Sequence, residues 1–421
     1  MAVAPSGSEP FSFARINPNG LTQHINNFLR DTVFAAFLRF LCRVRPVFQI
    51  PGTNTVWVTG FDAVQEVHSR HFDFEVPYEE RLRILRWQGF ILSLQDTPEY
   101  HDMHDGISRL WQPSDTSRVQ EIARATTESI LQTTHPKPLD FIQDLVKPVL
   151  MAIVEQHYGV TIPADQVQPF FEANLAGSSF VFAGPKIKPD QIKIATDAIN
   201  SAWPVIDAAM AAAREDPDPT TVLGRYYSAG SADPSFSEAK MRSALMTMIG
   251  GYLPTSTNAS GRVMDVLLAR KDAMRFMQDA VTAKQDGILL AGIQEALRLN
   301  YIIPRLWRRA ASDTYIGAGT TKHRTIRKDT NLLVSLQAGM TDGRRIKHPR
   351  RFDPNRSTTV RMVYGHEFHY CIGASIANAV LIEIFKGVLE RQPVHAHKRD
   401  RWVNAYPWNL WLTLSEADVA P

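Results

Sequence analysis

Apolar side chains recur at helical spacing through most of this chain and alternate, as in strands, in only a few short segments. The segment 374–389 is apolar almost throughout, and 241–268 is a second long run, so both predict buried helices. Strand-like alternation is found in the N-terminal half, at 55–59 for example, and helical runs follow to about residue 300. The pattern predicts a mainly α fold with a minor β region.

The most membrane-like stretch of the chain is 25–47. Five charged residues interrupt it: Arg30, Asp31, Arg39, Arg43 and Arg45. It therefore cannot cross a bilayer as a plain apolar helix. One helical face carries Leu29, Val33, Phe37, Phe40 and Val44. This amphipathic pattern favours a helix packed on the core, with a peripheral membrane contact that collects lipid substrates as the alternative.

Composition adds limits on domain number and compartment. A length of 421 residues would fit about three average domains, but no linker, repeat or low-complexity tract divides the chain. Its hydrophobic content of 44% is enough for a large core, so we expect a single domain over 1–421. Two cysteines exclude a disulfide framework, and the first eleven residues hold no apolar signal core. These features predict a cytoplasmic protein.

Cys371 is the main candidate for chemistry. It stands just before the apolar run at 374–389, where backbone N–H groups and the helix dipole are expected to lower the thiol pKa and favour metal binding. The other cysteine, Cys42, lies far upstream. The same loop could also be read as a zinc fragment with His366, His369 and Cys371, although structural zinc needs four closely placed ligands.

The loop around Cys371 resembles the proximal haem loop of the cytochrome P450 superfamily, whose pattern is Phe-Gly-x-Gly-x-His-x-Cys-x-Gly. The matching positions are Gly365, His369, Cys371 and Gly373. Tyr364 keeps an aromatic ring at the first position, whereas Glu367 stands where the second glycine is expected. The resemblance implies a P450-like fold, haem b as the cofactor and Cys371 as the ligand of its iron.

Three further signatures of that superfamily follow in the expected order. Glu295 and Arg298 match its Glu-x-x-Arg pair, placed one helical turn apart for a salt bridge. Arg308 resembles the arginine that binds a haem propionate bidentately, and His369 is expected to bind a propionate as well. The segments 332–339 and 348–356 resemble a strand and the Phe-Asp-Pro-x-Arg meander.

Two segments depart from the family pattern. In the propionate-binding helix, Tyr100 replaces the usual His and His104 the usual Arg. Both can still hydrogen-bond a carboxylate, so they are expected to help bind the propionates, with His104 only partly charged at neutral pH. In the helix over the distal face of the haem, Leu253 occupies the acid position and Pro254 the alcohol position. The family's acid and alcohol relay protons during dioxygen reduction, which neither replacement can do.

The loss of this pair leaves alternatives open. Pro254 is either a tolerated kink or the mark of a site that receives oxygen already reduced, as a peroxide or an organic hydroperoxide. Thr255 and Asn258 are the candidate catalytic residues, since an amide could hydrogen-bond a bound oxygen or a substrate radical. Asn258 could instead satisfy local backbone carbonyls, as short polar side chains often do.

Charge is unevenly distributed. The net charge is +3, yet 305–361 holds fourteen Lys and Arg against four Asp and Glu, a local +10 that leaves −7 elsewhere. Aromatic residues do not alternate with these cations, so we expect no nucleic-acid partner. Haem propionates account for part of the excess, and the rest either docks an acidic ferredoxin-type redox partner or is a solvated face.

The resemblance also places the substrate pocket. Its positions are all apolar here: Trp87, Phe90, Ile91, Leu92, Phe180, Phe182, Ile249, Leu253, Ile302, Ile303, Leu306, Leu410 and Trp411. They predict an apolar or lipid-like small-molecule substrate. Three functions compete: a haem-thiolate enzyme that uses peroxide or hydroperoxide, a dioxygen-dependent monooxygenase, and a non-catalytic haem or apolar-ligand binding protein.

Overall fold

The computed structural model describes residues 36, 40, 43–87, 94–134, 138–184, 187–228, 236–320, 323–396, 400–403 and 406–415. Within them the protein is mainly helical. The helices are α1 Phe61–Ser69, α2 Glu79–Leu85, α3 Pro98–Leu110, α4 Asp115–Thr134, α5 Lys147–Ile153, α6 Val167–Val181, α7 Pro189–Glu215, α8 Val222–Ser228, α9 Glu238–Ala269, α10 Lys271–Thr282, α11 Asp286–Leu299, α12 Leu336–Met340 and α13 Ala374–Leu389. Wider π-helical turns, Phe141–Val146 and Val154–Tyr158, flank α5.

The β structure is small and lies in four sheets among the described residues. The strands are β1 Val47–Gln49, β2 Thr55–Val58, β3 Phe74–Glu75, β4 Leu139–Asp140, β5 Leu306–Ala310, β6 Thr314–Ile316, β7 Arg324–Ile326, β8 Asn331–Val334, β9 Val394–His395, β10 Arg401–Val403, β11 Tyr406–Asn409 and β12 Trp411–Thr413. The largest sheet has the order β1-β2-β8-β5-β3, with β2 and β8 parallel and the other pairs antiparallel.

Two helices form the centre of the core. α9 has 32 residues, about 48 Å of helix, and packs against α6, α7 and α11. Ser237 begins it by accepting the backbone N–H of Lys240. α13 packs against α4 and α11, and most of its side chains are buried, as its continuous apolar sequence predicts. The predicted mainly α fold with a minor β region is confirmed.

Several sequence-based boundaries are confirmed and one is wrong. α13 spans the predicted apolar run, and α9 extends the predicted 241–268 run by a few residues at the start. The segment 332–339 is a strand only as far as Val334. Ser335 then accepts the backbone N–H of Ala338 and begins the short helix α12, so local capping overrides the strand pattern.

The amphipathic stretch 25–47 lies largely outside the described residues. Of its predicted apolar face, Phe40 and Val44 are described, and they are 61% and 59% exposed. The prediction that this face packs on the core is therefore wrong for these two side chains. Leu29, Val33 and Phe37 fall outside the described residues, as does Cys42. Among the helices that the structure describes, none has the length and apolar content required to span a bilayer.

Candidate active site

The loop 363–373, called the Cys loop below, is folded by backbone conformations that favour glycine. Gly365 has φ +85°, and a Cβ there would lie 3.1 Å from the carbonyl oxygen of His369. Glu367 also adopts a positive φ of 53°. A left-handed conformation costs a side-chain-bearing residue about 1–2 kcal/mol, which explains the family's glycine at this position. Glu367 thus adopts the left-handed backbone conformation that a glycine at this position would favour.

Cys371 is held at the end of this loop by its backbone. Its N–H donates to the carbonyl of Tyr364 over 2.9 Å, and the Tyr364 hydroxyl donates to Asn378 Oδ1 in α13 over 2.6 Å. The thiol sulfur accepts the N–H of Gly373. Cys371 is exposed at the cavity, but desolvation by the protein atoms around the sulfur still raises the thiol pKa above its ordinary value. The expectation of a lowered pKa is therefore wrong for the chain alone. A coordinated metal ion is what would deprotonate this thiol.

Three of the predicted haem-contacting residues line one open cavity of about 590 Å³: Tyr100, His104 and Cys371. This volume lies within the range typical of small-molecule sites, about 300–1,000 Å³. Thr97 begins α3 by accepting the backbone N–H of Tyr100, which fixes the helix beside the Cys loop. The Tyr100 hydroxyl donates to the carbonyl of Phe368 over 3.3 Å. Tyr100 thus ties α3 to the loop that carries Cys371.

Arg308 is a buried cation to which the described part of the chain offers no buried counter-charge. Its side chain is on the inward face of β5 and only 2% exposed. The guanidinium donates to the carbonyl of Trp307 and contacts His68 Nδ1 at 3.2 Å. Among the described residues no carboxylate pairs with it, and burial lowers its pKa. A buried, unpaired guanidinium is costly unless an anion binds it, so this site fits a propionate carboxylate.

His369 is half-buried and bonded to the protein. Its Nε2 lies 3.1 Å from the carbonyl oxygen of Leu94, to which it donates. Burial and the positive charge of Arg308 lower its pKa to about 4, so the ring is neutral near pH 7. In that tautomer Nδ1 accepts hydrogen bonds, and a propionate contact would need the second ring proton. Binding of a propionate by His369 remains a prediction.

Glu295 lies at the centre of a buried ionic network under the Cys loop. Arg298 donates to both of its carboxylate oxygens over 2.8 Å, and both side chains are 0% exposed. Arg356 of the meander and Arg361, which follows the meander, approach the same carboxylate at 3.1 Å and 4.0 Å. The predicted salt bridge one turn apart is confirmed. The sequence did not indicate that two more arginines converge on it.

The distal helix α9 passes through Leu253 and Pro254 without interruption. The Thr255 hydroxyl donates to the carbonyl of Gly251, and the Thr257 hydroxyl donates to that of Leu253 over 2.8 Å. Asn258 Nδ2 donates to the carbonyl of Ile302 over 3.2 Å. Asn258 therefore links the helix to the segment after α11, whereas the two threonine hydroxyls bond within the helix.

Asn258 has a second contact, because its Oδ1 accepts a hydrogen bond from Arg262 over 2.8 Å. The amide thus bridges Ile302 and Arg262 rather than a carbonyl freed by Pro254. Catalytic roles for Thr255 and Asn258 remain predictions.

Five of the ten predicted pocket residues that the structure describes are buried in the core, and the other five are half-buried. Trp87 is 2% exposed, and a Cβ at Gly250 of α9 or at Gly177 of α6 would lie within 2.9 Å of its ring. Phe182, Ile302, Ile303, Leu306 and Trp411 are half-buried, whereas Phe180, Ile249, Leu253 and Leu410 are fully buried. Phe90, Ile91 and Leu92 lie outside the described residues. The glycines of α6 and α9 make room for the Trp87 ring.

The zinc alternative finds no support in the described part of the chain. No group of three or more His, Cys, Asp or Glu side chains there could hold a metal ion. His366 Nε2 lies 3.6 Å from Glu367, and His369 is engaged with Leu94. A single thiol beside a cavity and a buried, unpaired arginine suit a flat anionic cofactor such as haem better than a bare ion.

His68 belongs to this site although nothing in the sequence indicates it. It is 3% exposed, on the last turn of α1, and its ring contacts Arg308. A single histidine near the end of an ordinary amphipathic helix gives no signal in the sequence. Only the packing of α1 against β5 brings it to the arginine.

Comparisons with known proteins agree with the geometry. No protein-family model matches the chain. It is 26% identical over 356 residues to "Cytochrome P450 CYP105Q4" of Mycobacterium marinum, covering 81% of this chain and 80% of that protein. It is 23% identical over 254 residues to a "Steroid C26-monooxygenase" of Mycobacterium tuberculosis, covering 60% and 64%. The solved structure "Epothilone B-bound Cytochrome P450epoK" superimposes with a TM-score of 0.75 at 15% identity, over 92% of this chain and 98% of that one.

Proposed function

We propose that this chain, a cytochrome P450-like oxidoreductase with haem b as its cofactor, oxidises an apolar small molecule with oxygen supplied by a peroxide or an organic hydroperoxide. Haem supplies the redox chemistry when it is bound. The chain supplies Cys371 as the iron ligand, Arg308 as an anchor for a propionate, and apolar walls that exclude water. The observation that carries the proposal is the missing acid and alcohol on α9.

The distal stretch of α9 has no proton relay of the usual kind. Residues 250–258 contain no Asp or Glu. Leu253 is fully buried at the acid position, and Pro254 has neither a hydroxyl nor a backbone N–H. The nearby hydroxyls of Thr255 and Thr257 are bonded to carbonyls of their own helix. A peroxide brings its oxygen already reduced, so its use does not require the missing relay.

An apolar substrate is favoured by the half-buried residues after α11. Along the chain, Ile302, Ile303 and Leu306 stand between Glu295 and Arg308, and all three are half-buried against the core. Phe182 at the end of α6 adds an aromatic ring that packs edge-on against Tyr78 at 5.5 Å. Apolar walls with few polar groups suit a lipid-like or similarly apolar ligand.

Restoring the relay is the direct test. The double change Leu253→Asp with Pro254→Thr should raise dioxygen-driven product formation per haem, because general acid–base help is typically worth about a hundredfold to ten-thousandfold in rate. Peroxide-driven turnover should stay equal or fall. The matched control is Leu253→Asn with Pro254→Thr, which makes the same helix change without an acid. Efficient dioxygen turnover by the unmodified protein, with no reaction towards any peroxide, would contradict the proposal.

Ordinary dioxygen-dependent monooxygenation with a ferredoxin-type electron donor is the second candidate. It is favoured by the name of the relative from Mycobacterium tuberculosis, a monooxygenase. The basic 305–361 segment would attract an acidic partner. However, several of its arginines are paired within the protein: Arg309 with Glu75, Arg344 with Asp342, Arg345 with Asp62, and Arg356 and Arg361 with Glu295. Less positive charge therefore faces a partner than the sequence indicates.

We also propose that the protein acts in the cytoplasm. Two cysteines in the whole sequence are consistent with a reducing compartment. A peripheral membrane contact through 25–47 remains a prediction, supported by the exposure of Phe40 and Val44 at its described end.

Arg308 provides a test of the cofactor anchor. Arg308→Ala should weaken haem binding about tenfold to a hundredfold, because it removes a charge-assisted hydrogen bond worth about 1.5–3 kcal/mol. Haem release to an excess of apomyoglobin measures the change. Arg309→Ala is the matched control, since Arg309 is on the same strand but points outward to Glu75. Full haem occupancy and unchanged thermal stability in Arg308→Ala would show that the role is wrong.

A further inference from the structure

His68 and Arg308 form a buried contact between α1 and β5. His68 is 3% exposed and Arg308 is 2% exposed, and His68 Nδ1 lies 3.2 Å from Arg308 Nη2. A guanidinium has N–H donors and no acceptor, so this hydrogen bond requires His68 Nδ1 to accept. The contact therefore decides which ring nitrogen of His68 carries the proton.

With Nδ1 accepting, the neutral ring of His68 carries its proton on Nε2. Burial and the positive charge of Arg308 lower the His68 pKa well below its ordinary value, so the ring remains neutral. Nε2 is itself buried and has no hydrogen-bond partner in the structure. His68 thus presents a buried N–H donor that no group of the described chain satisfies.

The charges around this donor indicate what would satisfy it. The groups that influence His68 electrostatically are Arg308, His366 and His369, and none of them is acidic. Arg308 has no carboxylate partner among the described residues. An unused N–H beside an uncompensated guanidinium calls for an anionic acceptor, because unsatisfied buried donors and cations are costly.

We propose that His68 binds a haem propionate, with its Nε2–H donating to the carboxylate that Arg308 also binds. The inference rests on haem as the cofactor and adds a residue of α1 to its anchors. It also accounts for the departure from the family pattern on α3, where Tyr100 donates to Phe368 and His104 lies 3.3 Å from Asp105. His68 of α1 and Arg308 of β5 thereby provide part of the propionate binding that α3 provides in the family pattern.

The test compares haem release and midpoint potential in the holoprotein. His68→Phe keeps a ring of similar size but removes the donor, so haem release to apomyoglobin should be about tenfold to a hundredfold faster. The midpoint potential should fall, because a propionate with one donor fewer places more negative charge near the iron and favours the ferric state. His68→Gln, whose amide both accepts and donates, should restore most of both properties.

His157→Phe is the matched control. His157 is 0% exposed, and neither of its ring nitrogens has a hydrogen-bond partner in the structure, but it lies beside Tyr158 and away from Arg308. Two results would overturn the inference. One is a His68→Phe variant with the same haem release rate and midpoint potential as this control, and the other is a His68→Gln variant that behaves like His68→Phe. A wild-type chain that takes up no haem would overturn the cofactor assignment together with the inference. If the wild-type chain binds haem and His68→Phe leaves haem release and midpoint potential unchanged, this inference alone is overturned.

Discussion

Replacing Cys371 with serine should abolish the absorption that is diagnostic of thiolate ligation when carbon monoxide is added to the reduced protein. A serine hydroxyl is a far weaker ligand than a thiolate, so haem affinity should fall by more than the tenfold to hundredfold that loss of a supporting hydrogen bond typically costs. Turnover with dioxygen or peroxide should fall to background. Optical titration with haem and the carbon monoxide difference spectrum measure these changes.

Cys42→Ser is the matched control, because it removes the only other thiol of the chain. It should leave haem content and the thiolate spectrum unchanged. Two results would contradict the assignment: a thiolate spectrum that survives in Cys371→Ser, or a histidine-type spectrum in the unmodified protein.

Glu295→Gln should destabilise the protein by about 3–5 kcal/mol, the range expected when one member of a buried ion pair is removed. The change leaves Arg298 buried without a counter-charge and weakens the hold on Arg356 and Arg361. The Arg298 guanidinium also donates to the carbonyl of Met340 in α12, so the damage should spread to the segments that support the Cys loop. Denaturant unfolding and haem content after purification measure the effect.

Asp197→Asn is the control for loss of an ion pair as such. Asp197 pairs with Lys193 one turn away, with both side chains more than half exposed, and exposed pairs contribute little to stability. Its unfolding midpoint should stay close to that of the wild type. Normal stability and haem content in Glu295→Gln, accompanied by loss of turnover, would show that Glu295 acts in catalysis rather than in support of the fold.

The sequence was informative where a short segment specifies its own structure. The apolar run that becomes α13 and the one-turn spacing of Glu295 and Arg298 follow from residue type and local spacing. Local rules failed at 335–340, where the cap formed by Ser335 turns a strand-like segment into a helix. Local rules also gave the wrong direction for the Cys371 pKa, because desolvation of its sulfur depends on the segments that pack around it and not on the loop sequence.

Both the sequence and the structure contribute to the description of the site. The resemblance assigned Cys371, Arg308, Tyr100 and His104 to one cofactor, and the structure places three of them around one cavity. Arg308 is apart from them on β5, where burial without a carboxylate partner supports its predicted role. The structure engages His369 with Leu94 and Asn258 with Ile302, which the sequence could not reveal because both acceptors are distant backbone carbonyls.

The sequence by itself determined the mainly helical fold and the absence of an acid and an alcohol at 253–254, and it predicted the cysteine that would bind iron. Each of these depends on the identity of residues or on periodicity within one segment. Tertiary structure alone decided that Arg356 and Arg361 converge on Glu295, that no carboxylate of the described residues pairs with Arg308, and that His68 lies against Arg308. These are contacts between segments distant in sequence, and buried charge is balanced or left unbalanced only when those segments pack together.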